Sequence, residues 1–157
     1  MTQLLNTPLE VGVRVVALLN ELYPRRIDIS RVVLFDHIAL HSEDFSGERS
    51  LHPAVPVRMG ELGIKRDLIR RGIQLMGSRG LILQSFDVTG IQYEASDDAR
   101  PFVEALESQY LSRLCRRYAW TVATFGVLDD ADIRAQLSKL YGSWSEEFDL
   151  IKRSDQN

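Results

Sequence analysis

Apolar residues recur at steps of three and four along most of the chain and alternate with polar ones in one short region. That pattern predicts a set of amphipathic helices interrupted by a single hairpin. The first helix has a marked start at Thr7-Pro8-Leu9-Glu10, with a capping threonine, proline at the first helical position and glutamate at the third. It is expected to run to about Tyr23 and stop before Pro24. A second helix should begin after Asp28 and carry Val32, Val33, Leu34, Phe35, Ile38 and Leu40. Its apolar coverage is nearly all round, which places it at the centre of a core. Ser42 to Met59 has no periodic pattern and contains Gly47, Pro53 and Pro56. A loop that long is usually functional or disordered.

Gly60 to Ser96 is the most informative stretch. Ile64, Leu68 and Leu75 fall near one line at helical spacing, and Leu62, Ile69 and Met76 fall on an adjacent one. Arg66, Asp67, Arg70, Arg71 and Gln74 take the other side. Gly72 lies inside the apolar arc, where glycine weakens a helix, so a neighbouring helix should approach closely there. Gly77 and Gly80 supply stop signals. Leu81–Phe86 and Ile91–Ala95 are β-prone, and Asp87-Val88-Thr89-Gly90 between them is a turn. A helix leading straight into a hairpin is the winged-helix order. The expected fold is therefore mainly α: a winged-helix domain over residues 1–96, with residues 97–157 as a C-terminal helical extension packed on it.

In that extension Ser96-Asp97-Asp98 can cap a helix with Pro101 in its first turn. Helical spacing then continues from Phe102 to Phe125, with a break near Ser108 and an end at Gly126. Asp129-Asp130 opens a last helix carrying a stripe of Ile133, Leu137, Leu140, Tyr141, Trp144, Phe148 and Ile151. The plain reading of the stripe is packing on the protein's own core. The sharper one is a partner-docking helix anchored by Tyr141, Trp144 and Phe148, residue types favoured at interfaces.

Composition narrows the chemistry. The net charge of −3 argues against a chain that is cationic throughout and grips nucleic acid by charge alone. Met1 to Asn6 lacks the pattern of a signal peptide, and Arg14, Glu21 and Asp36 interrupt every apolar stretch, so a cytoplasmic protein without a membrane span is expected. Cys115 is the single cysteine, best read as a structural thiol. A zinc site can be drawn from His37, His41 and His52 with Glu43 or Asp44, but HExxH and a second cysteine are missing. Paired histidines of that kind are more often polar positions on a helix end. No G-x-S-x-G elbow, no GK[ST] phosphate loop and no paired catalytic carboxylates stand out, so neither catalytic residues nor a cofactor is expected. Lys65, Arg66, Arg70 and Arg71, preceded by Arg58, are the candidate nucleic-acid contacts. The polar residues of the wing are Gln84, Asp87, Gln92 and Glu94, with no Lys or Arg, which weakens DNA reading by wing and helix together.

Several segments together resemble a known family: Thr7-Pro8-Leu9-Glu10-Val11-Gly12, Leu22-Tyr23-Pro24, Asp36-His37, His41-Ser42-Glu43-Asp44-Phe45, Ser50-Leu51-His52-Pro53, Pro56-Val57-Arg58, Gly60-Glu61, Arg66-Asp67-Leu68-Ile69 and Ser78-Arg79-Gly80-Leu81. They are similar to the middle component of bacterial ABC-three-component systems, the group that includes Lamassu-type antiphage defence. The resemblance covers roughly Thr7 to Tyr118. It implies a non-enzymatic small subunit beside an SMC/Rad50-like ATPase subunit and an effector subunit, often a nuclease, with DNA met through the complex. The loop from Ser50 to Glu61, stiffened by prolines, is then a candidate preformed contact through Ser50, Leu51, His52, Pro53, Arg58 and Glu61. The alternative is a free-standing winged-helix DNA-binding transcriptional regulator.

Overall fold

The computed structural model describes residues 7–52 and 61–141, with the side chains of Glu61, Leu62 and Tyr141 outside that description. It is mainly helical. In chain order it has α1 (Pro8–Leu22), α2 (Ile29–Leu40), a 3-10 turn (Ser42–Phe45), α3 (Glu61–Ser78), strands β1 (Ile82–Asp87) and β2 (Gly90–Ala95), α4 (Ala99–Ala105), α5 (Gln109–Phe125) and α6 (Asp130–Tyr141). Of the four helix-start signals read from the sequence, those at Thr7, Asp28 and Asp129 act as caps, whereas Asp98 at the start of α4 makes no side-chain capping hydrogen bond. Thr7 Oγ1 accepts from Glu10 N at 3.3 Å, and an Asp28 carboxylate oxygen accepts from Arg31 N at 2.9 Å. The break near Ser108 is a new helix start, with Ser108 Oγ accepting from Leu111 N at 3.2 Å. Asp129 does the same for α6 through Asp132 N at 2.8 Å.

Every residue of α2 except Arg31 is buried, as expected of a helix apolar on all sides. Around it pack α1, α3 and α5. The closest crossing is α1 on α3. A Cβ placed on Gly72 would lie 2.7 Å from Gly12 N and 2.9 Å from Gly12 Cα, so the two backbones touch where the sequence put a costly glycine. That crossing fixes which face of α3 is inward. Ile69, Ile73 and Met76 are buried, whereas Ile64 is 66% exposed. The buried stripe is therefore centred on Gly72, and the Ile64–Leu68–Leu75 line is its margin. Gly77 does not stop α3; the helix runs to Ser78 and closes with Leu81 N donating to Met76 O at 3.0 Å and Gly80 N to Gly77 O at 3.0 Å. Gly80 sits at φ 74, the left-handed position this closure needs.

β1 and β2 pair antiparallel with Asp87 opposite Gly90, leaving Val88-Thr89 as a two-residue loop. Asp87 Oδ1 accepts from Thr89 N at 2.7 Å and steadies the turn. Ile27, between α1 and α2, makes an antiparallel bridge to Tyr93, with reciprocal bonds of 3.0 and 2.8 Å. At its base the hairpin is anchored by Ile82, Tyr93 and Ala95, all buried. The register puts Phe86 opposite Ile91 on that same face but farther out, where Phe86 is 74% exposed. One apolar cluster unites residues of α1, α2, α3, the hairpin, α5 and α6, so the later helices share a core with the earlier ones. Two arginines hold the α5–α6 connection from below: Arg25 Nη1 donates to Gly126 O at 2.6 Å, and Arg31 Nη2 donates to Leu128 O.

Candidate functional site

The chemistry of the chain concentrates around Asp36. A carboxylate in the middle of α2, 1% exposed, must find partners or neutralise. It finds them on three other helices. Arg14 of α1 donates from Nε to Oδ1 at 3.3 Å and from Nη2 to Oδ2 at 3.0 Å. Tyr118 of α5 donates its hydroxyl to Oδ1 at 2.6 Å. Lys65 of α3 brings Nζ to 3.3 Å from Oδ2. Burial alone would push the Asp36 carboxyl up, but the Arg14 guanidinium and Lys65 ammonium outweigh it and hold it well below the usual carboxylate range. Burial and the adjacent Asp36 charge together push the Tyr118 phenol far up. Burial lowers the Lys65 ammonium, and Asp36 offsets part of that.

A row of rings leads from this junction to the surface. His37 lies 4.6 Å from His41, centroid to centroid, and His41 lies 6.3 Å from His52. His52 Nε2 is 2.8 Å from the Tyr110 hydroxyl. Burial, then the neighbouring Lys65 charge, lowers both His37 and His41. Burial, then Arg14, pushes His52 down to about 4. The three histidines of the chain are thus held neutral near pH 7. Among the described residues no group of three or more His, Cys, Asp or Glu is placed to hold a metal ion.

The residues singled out from the sequence fall in different places. Lys65 lies one turn before Ile69 on the inward face of α3 and is spent on Asp36 rather than on the exposed basic side. Arg70 and Arg71 are exposed, and both meet Asp67, at 2.6 and 3.0 Å. Arg66 is half-buried. Ser50, Leu51 and His52 are tied to their own chain. Ser50 Oγ accepts from Glu43 N, the Leu51 and His52 amides both donate to Leu40 O at 3.1 Å, and His52 meets Tyr110. Glu61 and Tyr141 are the first residue of α3 and the last of α6. Pro53, Arg58, Trp144 and Phe148 lie outside the described residues. Cys115 is half-buried, and burial, then Glu21, raises its thiol; nearby in sequence, Arg117 pairs with Glu48 at 2.7 Å.

The sequence reading missed the Asp36 junction. The signal was there: Arg14 stands in the apolar run Val11–Leu19 and Asp36 follows the apolar run Val32–Phe35, and two opposite charges at buried positions ask for each other.

The described residues are thus mainly helical with one antiparallel hairpin, tied together by an internal charge junction. Residues 4–147 match the family model of the ABC-three component (ABC-3C) system Middle Component 2, and the chain belongs to that family. It is a middle component of a multi-component system and so has partner components. Comparison with curated proteins and with solved structures gives no match. No helix among the described residues is long and apolar enough to cross a membrane.

Proposed function

We propose that this chain is a non-catalytic accessory subunit that docks on the head of an SMC/Rad50-like ABC ATPase and helps couple foreign-DNA sensing to an effector in Lamassu-type antiphage defence. The family match over residues 4–147 carries this reading. The geometry supports it. The order helix, bridge strand, two helices and hairpin suits a winged-helix unit, and Leu114, Tyr118, Ile133 and Leu137 of the later helices share its core. The tip of that hairpin presents Phe86, Val88 and Ile91 with Asp87 and no cation, which favours a protein partner over a phosphate backbone. On α3, Arg70 and Arg71 already share Asp67, which leaves less charge for DNA than the sequence suggested.

Co-expression of the full chain with an ABC ATPase component of an ABC-three-component system, followed by size-exclusion chromatography, tests the proposal. The expected result is one co-eluting complex. Separate elution at micromolar concentration refutes it. Tight binding of the isolated chain to short duplex DNA, weakening steeply with salt, would instead support the regulator reading.

A further inference from the structure

A groove of about 430 Å³ opens between the start of α1 and the α4–α5 break. Its walls are Leu9 and Val13 on one side and Leu106 and Leu111 on the other. Leu9 is 51% and Leu106 38% exposed, so two aliphatic side chains line it without cover from the described residues. Two of its polar groups are acidic. Glu10 and Glu107 both line it, and Glu10 Oε2 is buried with no hydrogen-bond partner among the described residues. Arg14 reaches the floor, but its charge is met by Asp36. A buried carboxylate oxygen without a donor is costly, and an apolar trough beside it is half of a recognition site.

We propose that this groove receives a lysine or arginine side chain carried next to an aliphatic residue on another component of the same system. The aliphatic neighbour and the methylene stem would lie on Leu9, Val13 and Leu106, and the cationic head would donate to Glu10 with Glu107 at the rim. The identity of the partner rests on the function proposed above; the chemistry of the groove does not.

Two experiments on the full chain separate these. Methyl NMR is recorded while the dipeptide Ac-Leu-Arg-NH2 is added to concentrations on the order of millimolar, where single-side-chain contacts register. Shifts confined to Leu9, Val13, Leu106 and Leu111, absent with Ac-Leu-Glu-NH2 and lost in Glu10→Gln, are expected. No shift, or equal shifts with both dipeptides, overturns the proposal. Movement of the same methyls in Arg58→Ala without any dipeptide also overturns it, by showing that the occupant is the chain's own arginine. The second experiment measures affinity for the purified ATPase component. Glu10→Gln, with an unchanged melting temperature, should weaken it by about tenfold or more, the usual loss for a hydrogen bond to a charged group. A wild-type complex indifferent to Glu10→Gln removes the inference and leaves the function reading standing. A chain that takes the dipeptide but joins no component removes the function reading and supports the groove's chemistry.

Discussion

Two glycines on one helix should respond to the same substitution with opposite signs. At Gly72 an added methyl would meet Gly12 N at 2.7 Å, Gly12 Cα at 2.9 Å and Pro8 O at 3.1 Å. All three are backbone atoms, so no side chain can swing aside; α1 and α3 must move apart. Overpacking of this kind costs about 1–3 kcal/mol, and a rigid contact belongs at the upper end. Replacing a mid-helix glycine by alanine returns about 0.8–1 kcal/mol of helix propensity. The net for Gly72→Ala is a destabilisation of roughly 1–2 kcal/mol. At Gly63, nine residues earlier by numbering, nothing lies within 4 Å of the added methyl. There only the gain remains, about 0.4–1 kcal/mol. Urea unfolding followed by circular dichroism should show midpoints on either side of wild type with one common slope. In a chain of 157 residues the separation corresponds to about 4–10 °C in melting temperature. If Gly72→Ala proves as stable as Gly63→Ala, the two backbones do not touch and the proposed centre of the α3 face is wrong.

The junction around Asp36 gives a graded pair. Tyr118→Phe deletes one donor to a buried carboxylate and should cost about 1.5–3 kcal/mol, whereas Asp36→Asn strands the Arg14 and Lys65 charges and should cost about 3–5 kcal/mol; denaturant titration ranks them, and equal small losses would contradict the geometry. Acid should act through the ring row. The folded-state pKa values of His37, His41 and His52 lie below the unfolded value of 6.5, so the unfolded chain binds protons first. Stability is then fully present above pH 6.5 and declines as pH falls toward 4, and a flat profile over that window in guanidinium titrations would refute the burial of the rings. Phe86→Ser and Val88→Ser should change stability by less than about 0.5 kcal/mol yet weaken capture of the ATPase component, since both side chains project into solvent. Cys115 should alkylate more slowly than a free cysteine at pH 8 until the chain is unfolded, as its raised thiol pKa requires; equal rates in folded and unfolded protein would speak against it.

How much of this could be read from the chain depends on whether the deciding interaction is local. Thr7, Asp28, Ser108 and Asp129 each act on an amide three residues away, and all four were legible. The hairpin was legible for the same reason, its turn chemistry lying within Asp87 to Gly90. Gly72 pointed correctly to a close neighbour without naming it as Gly12. Lys65 was read as part of the basic side, because what turns it inward is a carboxylate 29 positions away by number on another helix. The same distance in sequence hid the ring row: His37 and His41 were visible as a pair, but their link through His52 to Tyr110 depends on how α5 lies against α2. Of the docking residues read from the sequence, Ser50, Leu51 and His52 prove to have intramolecular partners, which a contact list from sequence has no means to assign.

The grip of Arg25 and Arg31 on the turn before α6 is addressed to carbonyl oxygens of residues 126 and 128. Every amino acid carries that oxygen. The side chain between them, the 85% exposed Val127, can therefore be rewritten without releasing α6, and relatives can diversify that outward point while the position of α6 on the body is inherited unchanged.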